Sequence, residues 1–178
     1  MANDIMMHVA GLMELSARTA PKGGGFDYVV QKVVSGKQLE ELGEAMIKTA
    51  GAITGRKKFI GRDGGNIQKS DALLLIGLKD AQPSGLDCGA CGYATCGECT
   101  DSMRPGAEFT GPICSMRLID LGIALGSAAK TASMLNADNR MMYSAGMVAI
   151  KTGLIDADIA IGIPISVSGK NIYFDRTP

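Results

Sequence analysis

The sequence predicts a mixed α/β (α+β) fold, a small central sheet packed with helices and carrying an inserted cysteine loop. Three observations lead there. Helix-like and strand-like periodicities alternate along 178 residues, a length that suits one well-buried core. Two runs, ALLLIGL at 72–78 and IAIGIPISV at 159–167, are short and almost wholly apolar, as strands covered on both faces are. All five cysteines fall between Cys88 and Cys114, so their chemistry belongs to one segment, about 85–115, inside a single domain spanning 1–178.

The elements follow in order. Ile5, Met6, Val9, Leu12, Met13 and Ala17 recur at helical spacing and predict an amphipathic helix over about 3–18, stopped by Pro21 and the run Gly23, Gly24, Gly25. The β-branched and aromatic stretch FDYVVQKVVSG reads as a strand ending near Gly36. Leu39, Leu42, Met46 and Ile47 then mark a second amphipathic helix. TGRKKFIGRDGGNIQKS places Arg56, Lys57, Lys58, Arg62 and Lys69 among glycines and reads as an exposed basic loop.

The run at 72–78 is the expected central strand, its uniform apolarity fitting a strand parallel to its neighbour. After Cys114, MRLIDLGIALGSAAKTASMLN is helical, and Gly122, Gly126, Ala129 and Ala132 recur at intervals that favour close packing in the core. A further helix over about 138–152 leads into IAIGIPISV, and NIYF reads as a short last strand.

Charge excludes several function classes. With 18 basic and 18 acidic residues, the chain has no electrostatic footprint for nucleic acid or an anionic membrane. The most apolar stretches are broken by Asp120, Gly162 and Pro164 and fall short of the ~20 residues a membrane span needs. Asp4 and the lack of a basic stretch ahead of the first apolar residues argue against a secretory signal. The expected location is therefore cytoplasmic, where clustered cysteines serve metal or redox chemistry more than structural disulfides.

Four readings of GLDCGACGYATCGEC compete. A [4Fe–4S] cluster would use Cys88, Cys91, Cys96 and Cys114, three thiolates from a compact loop and a remote fourth. Gly85, Gly89, Gly92 and Gly97 suit a backbone that must wrap tightly, and Pro112 would stiffen the approach to Cys114. Zinc would use Cys88, Cys91, Cys96 and Cys99, although only four residues separate the two pairs, where zinc sites usually leave about fifteen or more. A thioredoxin-like dithiol would leave the other cysteines idle, and incidental buried cysteines would not crowd so closely.

LDCGACGYATCGEC with Cys114 resembles the four-cysteine cluster domain of the Rnf-type electron-transport ferredoxin subunit and of corrinoid iron–sulfur proteins. Across nearly the whole chain, ARTAPKGGG, LDCGACGY, IDLGIALGSAAKTAS, NRMMYSAG and GLIDADIAIGIPISVSGKNIYFDR resemble uncharacterised ferredoxin-domain proteins of anaerobic bacteria and archaea. The resemblance implies a cluster held by Cys88, Cys91, Cys96 and Cys114, with no counterpart for Cys99, and a redox partner protein.

The order of elements around ARTAPKGGGFDYV, ALLLIGL and TGL before IAIGIPI is also similar to nitroreductase-like flavoproteins. That similarity implies FMN, its phosphate met by Arg18, Lys22, Gly23, Gly24, Gly25 and Lys170. Lys22 stands where that family usually has serine, and an arginine–arginine–serine element is missing.

Other signals carry less. SGKN at 168–171 lacks the P-loop's first glycine, its Ser/Thr and a following helix, so ATP is not expected. His8 is the only histidine and reads as a surface or packing residue. Asp80, Asp87, Asp120, Asp156 and Asp158 form no paired-carboxylate motif in sequence. Eleven methionines without tryptophan read as flexible core filling that also suits a homodimer interface. The expected function is one-electron transfer. A flavin-dependent reductase fed by the cluster and a zinc-stabilised structural or interaction module are the alternatives.

Overall fold

The computed structural model of the chain describes residues 2–52 and 59–174. Helix α1 (Ala2–Arg18) runs to a 3-10 turn at Gly23–Gly25, then strand β1 (Val29–Val34), helix α2 (Gly36–Gly51) and helix α3 (Phe59–Gln68). Strand β2 (Ala72–Leu78) leads to the cysteine segment, with helix α4 (Cys96–Asp101) and the two-residue strands β3 (Arg104–Pro105) and β4 (Thr110–Gly111). Helix α5 (Ser115–Met134), strand β5 (Asp138–Asn139), helix α6 (Tyr143–Lys151), strand β6 (Ile159–Ser166) and a 3-10 turn at Ile172–Phe174 complete the order.

The sheet runs β1-β2-β6-β5, and every neighbouring pair is antiparallel. The expectation of a parallel central strand is therefore corrected. Uniform apolarity reports burial on both faces, and helices cover both faces here whatever the strand direction. Ala72, Leu74, Ile76 and Leu78 join the core beneath α1 and α5, while Leu73 and Leu75 join the core beneath α2, α3 and α6. Alternation along one strand thus feeds two cores.

Four further expectations change. Phe59–Gln68 of the expected basic loop is α3, carrying Arg62, with Ile60, Gly64 and Ile67 buried. Lys69 follows its end, and Arg56, Lys57 and Lys58 lie outside the described residues. The helix expected from 138 begins at Tyr143, because Asp138 and Asn139 pair with Ser166 and Ile165 as an edge strand. NIYF forms a 3-10 turn instead of a strand, with Tyr173 fully buried. Finally, Gly122 and Gly126 face open space, and the buried stripe of α5 is Leu121, Ala124, Leu125, Ala128 and Ala132. Of the four small residues, Ala132 is buried and Ala129 packs against the core, while the two glycines sit one step around the helix from it.

Close approach of backbones fixes the second layer. A Cβ on Gly146 would lie 1.9 Å from the Ala160 carbonyl oxygen, so α6 lies directly on β6. Among the described residues, no helix is long and apolar enough to cross a membrane.

Candidate functional site

The segment leaving β2 carries little regular structure before α4. Its turns run through positive φ at Gly85 (74°), Asp87 (44°), Gly89 (70°) and Gly92 (89°), conformations that glycine adopts without strain. Asp87, which is not glycine, is held by use: its carboxylate accepts the Cys96 N–H at 2.6 Å. Thr95 caps α4 by accepting the Glu98 N–H at 3.2 Å, and Glu98 returns the favour to the Ala94 N–H at 3.1 Å. The arrangement resembles a capping box, with Glu98 reaching the N–H of the residue before the cap in place of the cap's own, and it holds Cys96 and Cys99 on a helix of only six residues.

All five cysteines line one narrow cavity, together with Pro83, Asp87, Gly89, Tyr93, Thr95 and Ser115. All five are free thiols: Cys88 is exposed, Cys91 and Cys96 are half-buried, and Cys99 and Cys114 are buried. Among the described residues, no three His, Cys, Asp or Glu side chains meet as ligands of a single ion would.

Cys114 and Cys99 differ electrostatically. Burial disfavours ionisation of Cys114, yet backbone N–H groups of Ser84, Arg117 and Met116 and the Ser84 hydroxyl outweigh it and bring the thiol below its ordinary value. The Ser84 Oγ lies 3.8 Å from the sulfur. Cys114 also occupies the N-cap of the 20-residue α5, where the helix dipole favours negative charge. Cys99 is the reverse: burial, then the Cys91 side chain, pushes its thiol up to about 11.

A larger cleft of about 530 Å³ backs onto this cavity, within the size range of small-molecule sites. Ser84, Leu86 and Met116 line the cleft, while their chain neighbours Pro83, Asp87 and Ser115 line the cysteine cavity. One layer of residues separates the two. Beneath the cleft Arg117 and Asp120 form a buried ion pair at 3.2 Å. Arg117 also donates to the Gln82 and Gly23 carbonyls, and Asp120 accepts the Gly23 N–H at 2.8 Å.

The structure brings some of the sequence-predicted phosphate residues together and leaves others apart. Lys22, Gly23 and Gly24 line the cleft. Lys22 donates to the carbonyls of Ala17, Arg18 and Ala20 at the end of α1. Arg18 is turned to Asp27 and the Val29 carbonyl, both at 2.8 Å. Lys170 follows β6 on the exposed turn beyond Ser166, where β6 pairs with the start of β2, whereas the cleft lies by the residues that follow the end of β2.

Ser84, Asp87, Arg117 and Asp120 were not legible as site residues. The proximity of Asp87 to Cys88 and the Arg117–Asp120 helical spacing were the available signals. Of the other carboxylates, Asp80, Asp156 and Asp158 gather around the Lys79 ammonium at 3.8, 3.2 and 4.0 Å. His8 lies exposed on α1.

Residues 110–176 match a family model described as "Uncharacterized protein containing a ferredoxin domain (DUF2148)". A protein of Archaeoglobus fulgidus, itself described as uncharacterized, is 46% identical over 176 residues, covering 99% of this chain and 94% of its own length. The chain belongs to this ferredoxin-domain family. Solved structures add the fold of this family member. The FMN-dependent nitroreductase NfnB from Mycobacterium smegmatis matches with a TM-score of 0.59 at 10% identity, covering 97% of this chain and 83% of its own. A BluB-like flavoprotein from Clostridium difficile 630 matches at 0.58 and 15%, covering 96% and 84%. A nitroreductase with bound FMN from Desulfitobacterium hafniense DCB-2 matches at 0.58 and 15%, covering 92% and 78%. The ferredoxin-domain protein thus has a nitroreductase-like fold with a cysteine segment built into it.

Proposed function

We propose that this protein is an electron carrier whose [4Fe–4S] cluster is held by Cys88, Cys91, Cys96 and Cys114. The observation that carries the reading is the gathering of all five free thiols around one cavity, a donor set of thiolates alone such as cluster iron takes. The spacing of Cys88, Cys91 and Cys96 with a remote Cys114 favours a cluster over one zinc, whose cysteine pairs usually stand about fifteen or more residues apart. When bound, such a cluster supplies reversible one-electron storage.

The chain's own residues do the rest. The α5 N-terminus and Ser84 favour thiolate at Cys114. Asp87 and the Thr95–Glu98 box hold the loop that presents Cys88, Cys91 and Cys96. Cys88, the exposed thiol, marks the edge that a redox partner protein would approach. Cys99 lies buried beside Cys91 and has no counterpart in the resembled motif, which supports leaving it out of the ligand set.

A second reading, a flavin-dependent oxidoreductase, is favoured by the cleft that shares a one-residue wall with the cysteine cavity. Phe26, Leu86, Ile119 and Ile123 offer apolar walls to a planar ring.

Anaerobic purification with iron and sulfide analysis tests the first reading. The expected result is about four irons per chain and a brown band bleached by dithionite. Cys114→Ser is expected to lose most of the iron and Cys99→Ser to keep it. One zinc per chain, or the opposite order of the two variants, overturns the assignment. Released yellow fluorescence would establish the second reading alongside the first.

A further inference from the structure

The cleft beside the cysteine cavity carries a ligand preference of its own. Its walls are apolar, with Phe26 61% and Leu86 65% exposed, large surfaces available for contact with a flat ring. Its charged groups are engaged within the fold. The Lys22 ammonium has three N–H donors, and three carbonyls at the end of α1 receive it at 3.3, 2.7 and 2.8 Å. Its side chain is only 6% exposed. The Gly23 N–H, the natural backbone donor for an anion at this turn, is taken by Asp120.

Arg117 is balanced by Asp120 at 3.2 Å and packs its guanidinium 5.0 Å from the Tyr28 ring centroid and 5.9 Å from that of Phe26. Arg18 is engaged with Asp27, and Lys170 lies beyond the other end of β2. Among the described residues, the cations named for a phosphate are either committed or distant, and Asp120 adds a carboxylate to the lining. A phosphate dianion entering here would give up its water for no uncommitted charge partner.

We propose that the cleft binds an uncharged planar aromatic ring and has no subsite for the phosphate of FMN. Apolar contact with Phe26, Leu86, Ile119 and Ile123 supplies the affinity. The proposal deepens the second reading above, because it names what that reading's site accepts, and it departs from the FMN that the fold alone would imply.

The experiment is an anaerobic titration of the purified iron-containing protein with riboflavin and with FMN, followed by quenching of ring fluorescence. Riboflavin and FMN are expected to bind with Kd values within about threefold of each other. Tenfold or tighter binding of FMN overturns the proposal, as does failure of riboflavin to bind. Ile119→Glu, at a half-exposed wall position, is expected to weaken riboflavin at least tenfold with iron content unchanged, and unaltered binding overturns the location. Ile123→Trp, which fills the same wall without charge, gives the same readout if the glutamate variant does not accumulate. Unsubstituted protein that purifies without iron yet binds riboflavin would overturn the electron-carrier reading and support this one.

Discussion

Strand β2 and the cysteine segment that follows it are neighbours in sequence, yet they are held by different forces. All seven residues of β2 are buried, with a hydrogen-bonded ladder on each edge and a helical layer on each face. Residues 85–98 are largely exposed and make no sheet pairing. Their order comes from a few side-chain-to-backbone bonds, chiefly Asp87 to Cys96 and the Thr95–Glu98 box. The hydrophobic effect scales with buried area, so the sheet needs nothing beyond its own side chains. The segment buries little and depends on its caps and on whatever its thiols hold.

The comparison breaks most easily in the sheet layers. Gly146→Ala would drive a methyl to 1.9 Å from the Ala160 carbonyl oxygen, and backbone cannot yield there as a flexible side chain would. The expected cost is about 4 kcal/mol or more, read as a collapse of the denaturant midpoint. A small effect would show that α6 is not seated on β6 as described.

Between the regions stands the Arg117–Asp120 pair, with side chains 3% and 8% exposed. Asp120→Ala would leave Arg117 buried and uncompensated, at an expected cost of about 3 kcal/mol in chemical denaturation. Arg117→Met/Asp120→Leu is expected to recover most of that loss, since apolar replacement of a whole buried pair is often neutral. No recovery would mean that the two residues act separately.

The elements legible in sequence were those whose signal is burial. Met6, Val9, Met13 and Ala17 lie buried as their spacing predicted, as do Leu39, Leu42 and Met46, while Ile5, Leu12 and Ile47 of the same patterns are exposed. Strand direction was not legible, because an apolar run reports two covered faces and nothing about its neighbours. The α3 helix was hidden by its glycines: Gly64 permits close packing against Gly43 on α2, and a Cβ there would lie 2.8 Å from the Gly43 carbonyl, so the residue that weakens local propensity serves tertiary contact. The cysteines pointed to one site through spacing alone. Ser84, Arg117 and Asp120 belong to the neighbourhood through contacts spanning up to 97 residues of sequence, which no local pattern encodes.

Alkaline pH sharpens the sheet side further. Burial pushes the Tyr173 phenol up to about 12, above the value of about 10 for an exposed tyrosine, and its hydroxyl lies 2.9 Å from Ser70 Oγ. The folded state holds this proton more tightly than the unfolded chain does. Its contribution is therefore complete below pH about 10 and is lost as pH rises toward about 12, by about 3 kcal/mol. Tyr173→Phe is expected to flatten that part of the stability–pH curve. An unchanged slope would assign the alkaline loss to other groups.

The smallest effect is expected where the two regions differ most. Thr95→Ala removes the hydroxyl that accepts the Glu98 N–H, a cap worth about 1 kcal/mol. Because α4 is six residues long and only Cys99 within it is buried, that loss should stay local. Amide exchange should quicken at residues 94–99 and iron should dissociate faster to a chelator, while the global denaturant midpoint stays within error. A matching fall in the global midpoint would mean that the cysteine segment unfolds together with the sheet, and that the two regions are one cooperative unit despite their different forces.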